Sequence, residues 1–308
     1  MKSRLFLKPI LMMNSFDLNA YLSSKRNQIN STLDSMFPDT SRKIVKAMKY
    51  SLMAGGKRLR PILCLASAET VGGKSQDVIR TACAIEMIHT YSLIHDDLPA
   101  MDDDELRRGQ PTCHAAFDEA TAILAGDALL TMAFEVLASI EITQENQAMD
   151  LIKVIRTLST AAGYQGMIEG QLQDMAAEGK ALALEDLEKM HTLKTGALIE
   201  ASVTAGAILG RGNRFQIQQL KIYAKNIGLA FQVTDDILNI EGDPKIMGKN
   251  VGSDQIRLKS TYPIVLGMDQ SKKFAKKLIG YALNSLECFG NKAHSLRAIA
   301  NYVIDRKK

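Results

Sequence analysis

The stretch LKIYAKNIGLAF, residues 220–231, sets apolar side chains three or four positions apart, at Leu220, Tyr223, Ile227, Ala230 and Phe231. This spacing gives an α-helix a continuous apolar face. The stretch belongs to a tract without proline, residues 112–243, that is rich in Ala, Leu, Ile, Met, Glu and Gln. Because a proline costs a helix interior about 3 kcal/mol, a long tract of good helix formers without it predicts consecutive helices.

The remainder of the chain supports the same fold class. No alternating strand pattern bounded by turn residues occurs in the sequence, and a second apolar stripe at helical spacing lies upstream, at Cys83, Met87, Tyr91 and Ile94. Glycine and proline predict helix breaks at residues 72–73, 210–213 and 242–244. These patterns predict an all-α fold. Because no linker or repeat divides the chain, we also predict a single domain.

The composition of the chain excludes several classes of protein. Its 308 residues include 38 Lys and Arg against 34 Asp and Glu, a net charge of +4 that gives no support for a nucleic-acid surface. A mean hydropathy of −0.06, with charges in every long apolar run, argues against an integral membrane protein. Four cysteines placed singly favour a reducing compartment, and hence a cytoplasmic location, over a disulfide framework or a zinc site.

The first fifteen residues stand apart from the helical pattern. Two basic residues precede three apolar ones, as in a secretory signal peptide, but Lys8 and Pro9 interrupt the run far short of a signal peptide's apolar core. No small-residue cleavage site follows. We therefore interpret residues 1–15 as an N-terminal extension and residues 16–308 as the domain.

The most unusual segment of the chain is DDLPAMDDDE, residues 96–105, with six acids at the end of an apolar helix. Like charges this close repel unless a cation neutralises them, and oxygen-only ligands suit Mg²⁺ or Mn²⁺ rather than Zn²⁺. Pro99 ends the helix soon after Asp97, so Asp102 must return to the site from a loop. A solvated acidic helix end is the alternative interpretation of this run alone.

A second acidic segment repeats the theme on another helix. Asp235 and Asp236 follow an apolar run, and Asn239 lies four residues after Asp235, so those two side chains share one helix face. Mg²⁺ binds diphosphates through one or two carboxylates with water and phosphate oxygens completing its shell. Two acidic helix ends in one site are therefore able to hold several metal ions together.

Basic residues beside glycines or turn residues complete the pattern. Arg and Lys suit diphosphate oxygens, and Arg107-Arg108 follows the first acidic run directly. Residues 55–61 lack the spacing of a P-loop. A basic cluster alone is more often a solvated surface, but acids flanked by two arginines favour a site where both signs meet. The other cations of this kind are Lys57, Arg58, Arg60, Lys194, Lys249 and Lys259.

The order of these motifs resembles that of the trans-isoprenyl diphosphate synthases. They are GGKRLRP at residues 55–61, YSLIHDDLPAMDDD at residues 91–104, LRRG at residues 106–109, KTG at residues 194–196 and FQVTDDIL at residues 231–238. The resemblance extends over nearly the whole chain and is strongest to the bacterial farnesyl diphosphate synthases. It implies a single bundle of antiparallel helices around a deep central cavity, assembled as a homodimer.

The resemblance also implies an activity and its residues. The activity is Mg²⁺-dependent condensation of isopentenyl diphosphate with dimethylallyl or geranyl diphosphate, giving farnesyl diphosphate and diphosphate. Three Mg²⁺ ions, for which Mn²⁺ can substitute, are bound by Asp96, Asp102 and Asp235, with Asp97 and Asp236 in support. The allylic diphosphate and its cation are met by Arg107, Lys194, Thr195, Gln232, Lys249 and Lys259. The isopentenyl diphosphate is bound by Lys57, Arg60, His89 and Arg108.

Two residues before the first acidic motif bear on product length. Tyr91 and Ser92 lie five and four residues before Asp96, which is about 6–7.5 Å down a helix axis. A large ring followed by a small residue resembles the farnesyl-producing pattern. A geranyl or geranylgeranyl diphosphate synthase of the same family is the alternative.

Two more distant alternatives remain at this point. A terpene cyclase has one Asp-rich motif and no isopentenyl site, so the cations of residues 57–60 weigh against it. A non-catalytic subunit of a heteromeric synthase typically has eroded Asp motifs, whereas Asp96, Asp97 and Asp102 are intact. Asn239, where the family usually has Asp, is the one departure that favours the subunit, because an amide adds no charge.

Overall fold

The structure of the protein, a computed structural model, describes residues 16–38, 41–241 and 259–306. Its first half contains α1 (Leu18–Ser35), α2 (Lys43–Met53), α3 (Leu59–Val71) and α4 (Ser75–Asp96), then the strands β1 (Leu106–Arg107) and β2 (Gln110–Pro111), then α5 (Cys113–Ala116), α6 (Glu119–Ala138) and α7 (Glu145–Ala162).

The second half contains α8 (Met167–Ala176), α9 (Leu184–His191), a π-helical turn (Thr192–Gly196), α10 (Ala197–Leu209), α11 (Arg214–Glu241), α12 (Tyr262–Leu266), α13 (Met268–Ser285), a 3₁₀ segment (Glu287–Ala293) and α14 (His294–Asp305). The prediction of an all-α fold is confirmed. The predicted extension over residues 1–15, the predicted break at residues 242–244 and the candidate Lys249 lie outside the described residues.

The other two predicted helix breaks are where the sequence placed them. Helix α3 ends at Val71 and is capped by Gly72, whose φ of +102° is the left-handed conformation that glycine adopts without strain. Helices α10 and α11 are separated by residues 210–213. Connections this short join neighbouring helices that run in opposite directions.

These short connections bring four helix ends to one end of the bundle. Helices α3 and α4 pack together, as do α10 and α11, and α10 also packs on α3 and α7. A Cβ on Gly206 would lie 2.0 Å from the carbonyl oxygen of Cys64, so α10 approaches α3 more closely than any other residue type allows. The starts of α3 and α10 therefore lie near the ends of α4 and α11, where the acidic motifs are.

The two strands form a hairpin that the sequence analysis did not predict. Leu106 pairs with Pro111 and Arg107 with Gln110, in antiparallel register. Arg108 and Gly109, the two turn residues, have φ values of +55° and +76°, as a two-residue hairpin requires. Strands of two residues are too short to show an alternating pattern. The hairpin separates the paired Arg107 from the turn residue Arg108.

Helix α6 carries an unusual amount of exposed apolar surface. By length and composition alone it could cross a membrane, with a mean hydropathy of 1.6 and 39% of that window buried inside the structure. No other helix among the described ranges meets that test. One face of α6 packs on α4 and α2, as in a core helix of a bundle, while Ile123 and Leu124 are exposed.

Candidate active site

The first acidic motif closes on itself after α4. The backbone N–H of Asp102 donates to the carbonyl oxygen of Asp96 at 2.8 Å, and that of Asp104 donates to Asp97 at 3.2 Å. The chain therefore folds back on the end of the helix, as the sequence required for Asp102 to rejoin Asp96. Two carboxylates six residues apart come together on one helix end.

Burial and like charge act together on Asp96. Burial, together with the nearby carboxylates of Asp102 and Asp97, raises the pKa of Asp96 to about 6, against the opposing charge of Lys194. Holding such a carboxylate ionised costs free energy, which a bound cation offsets. The acidic motif thus has the electrostatic character of a cation site.

Asp97 has a different partner from its neighbour. The Nε of Arg107 donates to both carboxylate oxygens of Asp97 at 2.8 Å, and an Nη of the same guanidinium also reaches Asp97. Asp97 is buried. This bidentate pair holds the arginine of β1 against the end of α4, so Asp97 supports the site by positioning Arg107.

The two aspartates of the second acidic motif also differ from each other in burial and in partners. Asp236 is buried and accepts hydrogen bonds from Gln232 Nε2 at 3.1 Å and from the backbone N–H of Tyr262 at 3.0 Å, which tie α11 to the start of α12. Asp235 is partly exposed, and its Oδ1 lies 2.8 Å from Nη2 of Arg306. The exposed aspartate faces the site and the buried one supports the helix.

Asp174 on α8 links two of the predicted cations, and the sequence analysis missed it. Its Oδ2 accepts from Lys194 Nζ at 2.6 Å and from Lys259 Nζ at 2.8 Å. Although burial alone would raise it, the two ammonium groups lower the pKa of Asp174 to about 2. Lys259 Nζ also lies 3.8 Å from Asp102 Oδ1, so Asp174 holds both lysines beside the first acidic motif.

A glycine four residues before Asp174 lies where α8 meets the π-helical turn. A Cβ on Gly170 would lie 2.2 Å from the backbone nitrogen of Lys194, so α8 approaches the π-helical turn closely at this point. Gly170 and Asp174 are four residues apart and share one face of α8. The sequence alone does not mark this face, because the spacing of a glycine and an acid does not tell which segment of the chain they meet.

The π-helical turn carries Lys194 and Thr195 into the site. Such turns are rare in proteins, and many of those that occur lie at functional sites. The hydroxyl of Thr195 donates to Gln232 Oε1 at 3.1 Å, and the amide of Gln232 donates in turn to Asp236. These two bonds determine the orientation of the Gln232 amide. Thr195 and Gln232, predicted from the resemblance to lie near an allylic cation, are thus in contact.

The predicted isopentenyl residues form a separate basic cluster at the start of α3. Arg60 Nη1 lies 3.3 Å from His89 Nε2, and an Nη of Arg108 donates to the carbonyl oxygen of Gly55. Burial and the guanidinium groups of Arg60 and Arg108 lower the pKa of His89 well below its usual range. His89 is therefore neutral at pH 7 and accepts from Arg60. Lys57 lies over the Phe231 ring, 5.9 Å from its centroid.

Arg306, near the C-terminus, is a second residue that the sequence analysis missed. It is 6% exposed, its guanidinium lies 3.9 Å from the centroid of Phe231, and Nη2 donates to the Phe231 carbonyl oxygen at 2.8 Å. Together with the Asp235 contact, these bonds connect the end of the chain to the second acidic motif. Nothing local in the sequence marks Arg306 apart from other terminal cations.

Three acids of the two motifs thus each have a cation of the chain near them. Arg107 pairs with Asp97, Lys259 lies near Asp102, and Arg306 pairs with Asp235. Within residues 16–38, 41–241 and 259–306, three or more His, Cys, Asp or Glu side chains do not gather closely enough to bind a metal ion by themselves. The arrangement suits metal ions that take part of their shell from a ligand such as diphosphate.

Comparison with known proteins identifies the family of the chain. Residues 41–297 match the polyprenyl synthetase family. The chain belongs to that family. The matched residues lie inside the predicted domain, residues 16–308, whose bounds stay a prediction. The family is one of prenyltransferases in isoprenoid synthesis, and the chain is a prenyl diphosphate synthase.

Relatives with different products are similar over nearly the whole chain. The farnesyl diphosphate synthase of Escherichia coli (strain K12) is 46% identical over 286 residues, 92% of this chain and 95% of that protein. The heterodimeric geranylgeranyl pyrophosphate synthase large subunit 1 of Arabidopsis thaliana is 46% identical over 299 residues, 96% of this chain and 81% of that protein. The geranylgeranyl pyrophosphate synthetase structure from Pyrococcus horikoshii aligns with a TM-score of 0.86 at 33% identity, covering 94% of this chain and 98% of that one.

Proposed function

We propose that this polyprenyl synthetase condenses isopentenyl diphosphate with dimethylallyl or geranyl diphosphate to give farnesyl diphosphate and diphosphate. The observation that carries the proposal is the position of Lys259 between Asp102 and Asp174, where a cation for phosphate oxygens and acids for metal ions share one space. In the reaction, the allylic C–O bond breaks and its electron pair leaves with diphosphate. The isopentenyl double bond then forms the new C–C bond, and a proton passes to the released diphosphate.

The donor atoms of the site fit Mg²⁺. Asp96, Asp102 and Asp235 offer only carboxylate oxygens, which Mg²⁺ prefers over nitrogen and sulfur. We propose that they hold three Mg²⁺ ions, for which Mn²⁺ can substitute. When bound, the ions supply positive charge that neutralises the leaving diphosphate.

The remaining roles belong to side chains whose positions are already determined by their partners. Arg107, Lys194 and Lys259 are each held by a buried aspartate, and we propose that with Lys249 they bind the allylic diphosphate. Such preorganised charges stabilise a developing anion without a reorganisation cost. Lys57, Arg60, His89 and Arg108 are proposed to bind isopentenyl diphosphate. The oxygen of Thr195, whose proton is directed to Gln232, retains lone pairs for the allylic cation.

Asp174→Asn is expected to raise the KM for the allylic diphosphate about 10- to 100-fold, because hydrogen bonds to charged groups contribute about 1.5–3 kcal/mol and 1.4 kcal/mol is tenfold. Lys194 and Lys259 would lose the carboxylate that holds both. Steady-state kinetics with each substrate varied in turn measures the effect. Glu178→Gln is the matched control, since Glu178 is 3.9 Å from Lys259 and exposed. Equal KM values for the two variants would contradict the assignment.

The farnesyl product is proposed from the ring at position 91. Tyr91 is 6% exposed and lies on α4 about 7.5 Å below Asp96, with Ser92 beside it as a small residue. A buried phenol at that depth limits how far an apolar chain can extend from the diphosphate. The alternatives are a geranyl or a geranylgeranyl product, and relatives named for farnesyl and for geranylgeranyl products are both similar to this chain.

Tyr91→Ala is expected to lengthen the main product by at least one isoprenoid unit, because it removes the ring that we propose closes the product shaft, the apolar cavity that would receive the growing chain. Incubation with both substrates and Mg²⁺, followed by chromatography of the dephosphorylated products, measures the chain length. Tyr91→Phe keeps the ring volume and is expected to keep the wild-type length. A wild-type product from Tyr91→Ala would show that the depth argument is wrong.

The same incubation of the unmodified chain separates the more distant alternatives. A hydrocarbon product would indicate a terpene cyclase, and the absence of any elongated product would indicate a non-catalytic subunit. Asn239 is buried and adds no charge beside Asp235, which is the feature that favours the subunit. The three intact aspartates of the first motif favour the enzyme.

We also propose that the chain forms a homodimer and acts in the cytoplasm. The exposed apolar residues Ile123 and Leu124 of α6, and Met149 and Ile152 of α7, are surface that a second copy would cover. All four cysteines carry free thiols, which suits a reducing compartment.

A further inference from the structure

A glycine on α6 forms a notch that a histidine of α4 fills. A Cβ built on Gly126 would lie 2.1 Å from Nε2, 2.5 Å from Cδ2 and 2.9 Å from Cε1 of His95. Contacts below 3 Å are not made by real Cβ atoms, so any other residue at position 126 would displace the imidazole. The ring of His95 therefore lies where only glycine permits it.

The notch also orients the imidazole. Nε2 of His95 lies 3.0 Å from the carbonyl oxygen of Ile123, and 3.9 Å from Oδ1 of Asp127. A carbonyl oxygen can only accept, so Nε2 carries a proton and donates it to Ile123. The hydrogen bond and the notch together hold the ring of His95 against α6.

The other side of the imidazole contacts Tyr91. The two ring centroids are 5.8 Å apart and the ring planes meet at 83°, an edge-to-face arrangement. Tyr91 and His95 are four residues apart on α4, so their side chains share one face of the helix. Tyr91 is thereby linked to α6 through a ring whose own position α6 determines.

We propose that His95 is a positioning residue for product length: held in the Gly126 notch, it keeps the Tyr91 ring in the orientation that closes the shaft. The inference rests on the proposed role of Tyr91 in the condensation described above. It assigns to His95 no contact with substrate or metal. Its effect on the product passes through the tyrosine ring, and the depth of the shaft depends on a contact between two helices.

Two variants test the proposal by removing the ring contact in different ways. His95→Gln keeps an amide N–H that can reach Ile123 but has no ring for Tyr91. Gly126→Ala keeps the imidazole but expels it from the notch. Each is expected to raise the ratio of longer product to wild-type product about 2- to 10-fold, the range that corresponds to loss of an edge-to-face pair. Gly280→Ala is the matched control, because a Cβ at Gly280 on α13 would meet nothing within 4 Å.

The double variant shows whether the two residues act through one contact. Once the ring is gone, a methyl group at position 126 has no imidazole to move away from Tyr91, so the double variant should give the same product ratio as His95→Gln alone. Multiplied effects would overturn the proposal, as would an unchanged or shortened product in either single variant. A wild-type chain that makes no elongated product would instead refute the proposed function. Thermal unfolding of each variant separates a change in product ratio from a loss of folded protein.

Discussion

Replacing Asp96 by Asn is expected to lower the kcat of prenyl transfer about 10²- to 10³-fold, the size of effect seen when one electrostatic group that stabilises a transition state is removed. The side chain keeps its shape and loses its charge. The loop should keep its fold, because the backbone N–H of Asp102 donates to the backbone carbonyl oxygen of Asp96, which the substitution keeps. Steady-state kinetics at saturating substrates and Mg²⁺ gives kcat.

The control for this prediction comes from the same acidic run. Asp103 is exposed and has a φ of +51°, a conformation that Asn tolerates as well as Asp does. Asp103→Asn removes one negative charge from the motif without touching the proposed site, and is expected to keep kcat within about 3-fold, as for surface substitutions. Similar losses for Asp96→Asn and Asp103→Asn would mean that only the total charge of the run matters.

The second large effect is expected on stability, at the turn that carries Lys57 and Arg60. Arg58 is 3% exposed, and its Nη1 lies 2.7 Å from the carboxylate of Glu86, which is also buried. Its other nitrogens donate to Asn30 and to the carbonyl oxygen of Leu52. Arg58→Met is expected to lower the free energy of unfolding by about 3–5 kcal/mol, because it leaves Glu86 buried without its counter-ion. Denaturant titration followed by circular dichroism measures the loss.

A double variant distinguishes the destabilisation caused by an unpaired Glu86 from the stability that the Arg58–Glu86 ion pair contributes. Arg58→Met with Glu86→Leu removes both charges, and buried pairs replaced by apolar residues are often neutral in stability. The double variant is expected to regain most of the stability that Arg58→Met loses. If its loss were instead the sum of the two single losses, the ion pair itself, and not the stranded carboxylate, would be the source of the effect.

The helical fold was predictable because its signals are local. The spacing of Leu220, Tyr223 and Ile227, the absence of proline over residues 112–243 and the glycines at residues 72–73 each act within one or two turns of chain. The hairpin of Leu106–Arg107 and Gln110–Pro111 was missed for a related reason. Its strands have two residues each, so no period could appear.

The sequence predicted which charged residues belong to the candidate site, but not which of them contact one another. The sequence marked Asp96, Asp102 and Asp235 as clustered acids, and Arg107 and Lys194 as cations. It did not mark Asp174, which lies 20 residues from one of its lysine partners and 85 from the other. The sequence also suggested one supporting role for both Asp97 and Asp236. In the structure Asp97 pairs with Arg107, whereas Asp236 accepts from the backbone N–H of Tyr262.

By itself the sequence determined the fold class, the two acidic helix ends and the supply of cations, because each follows from residues close together in the chain. The tertiary structure alone decided which cation faces which acid. Lys259 with Asp174, Arg306 with Asp235 and His95 in the Gly126 notch each join elements that are distant in sequence. Such pairs depend on how closely helices approach, and that distance is determined only when the side chains of the whole bundle pack together.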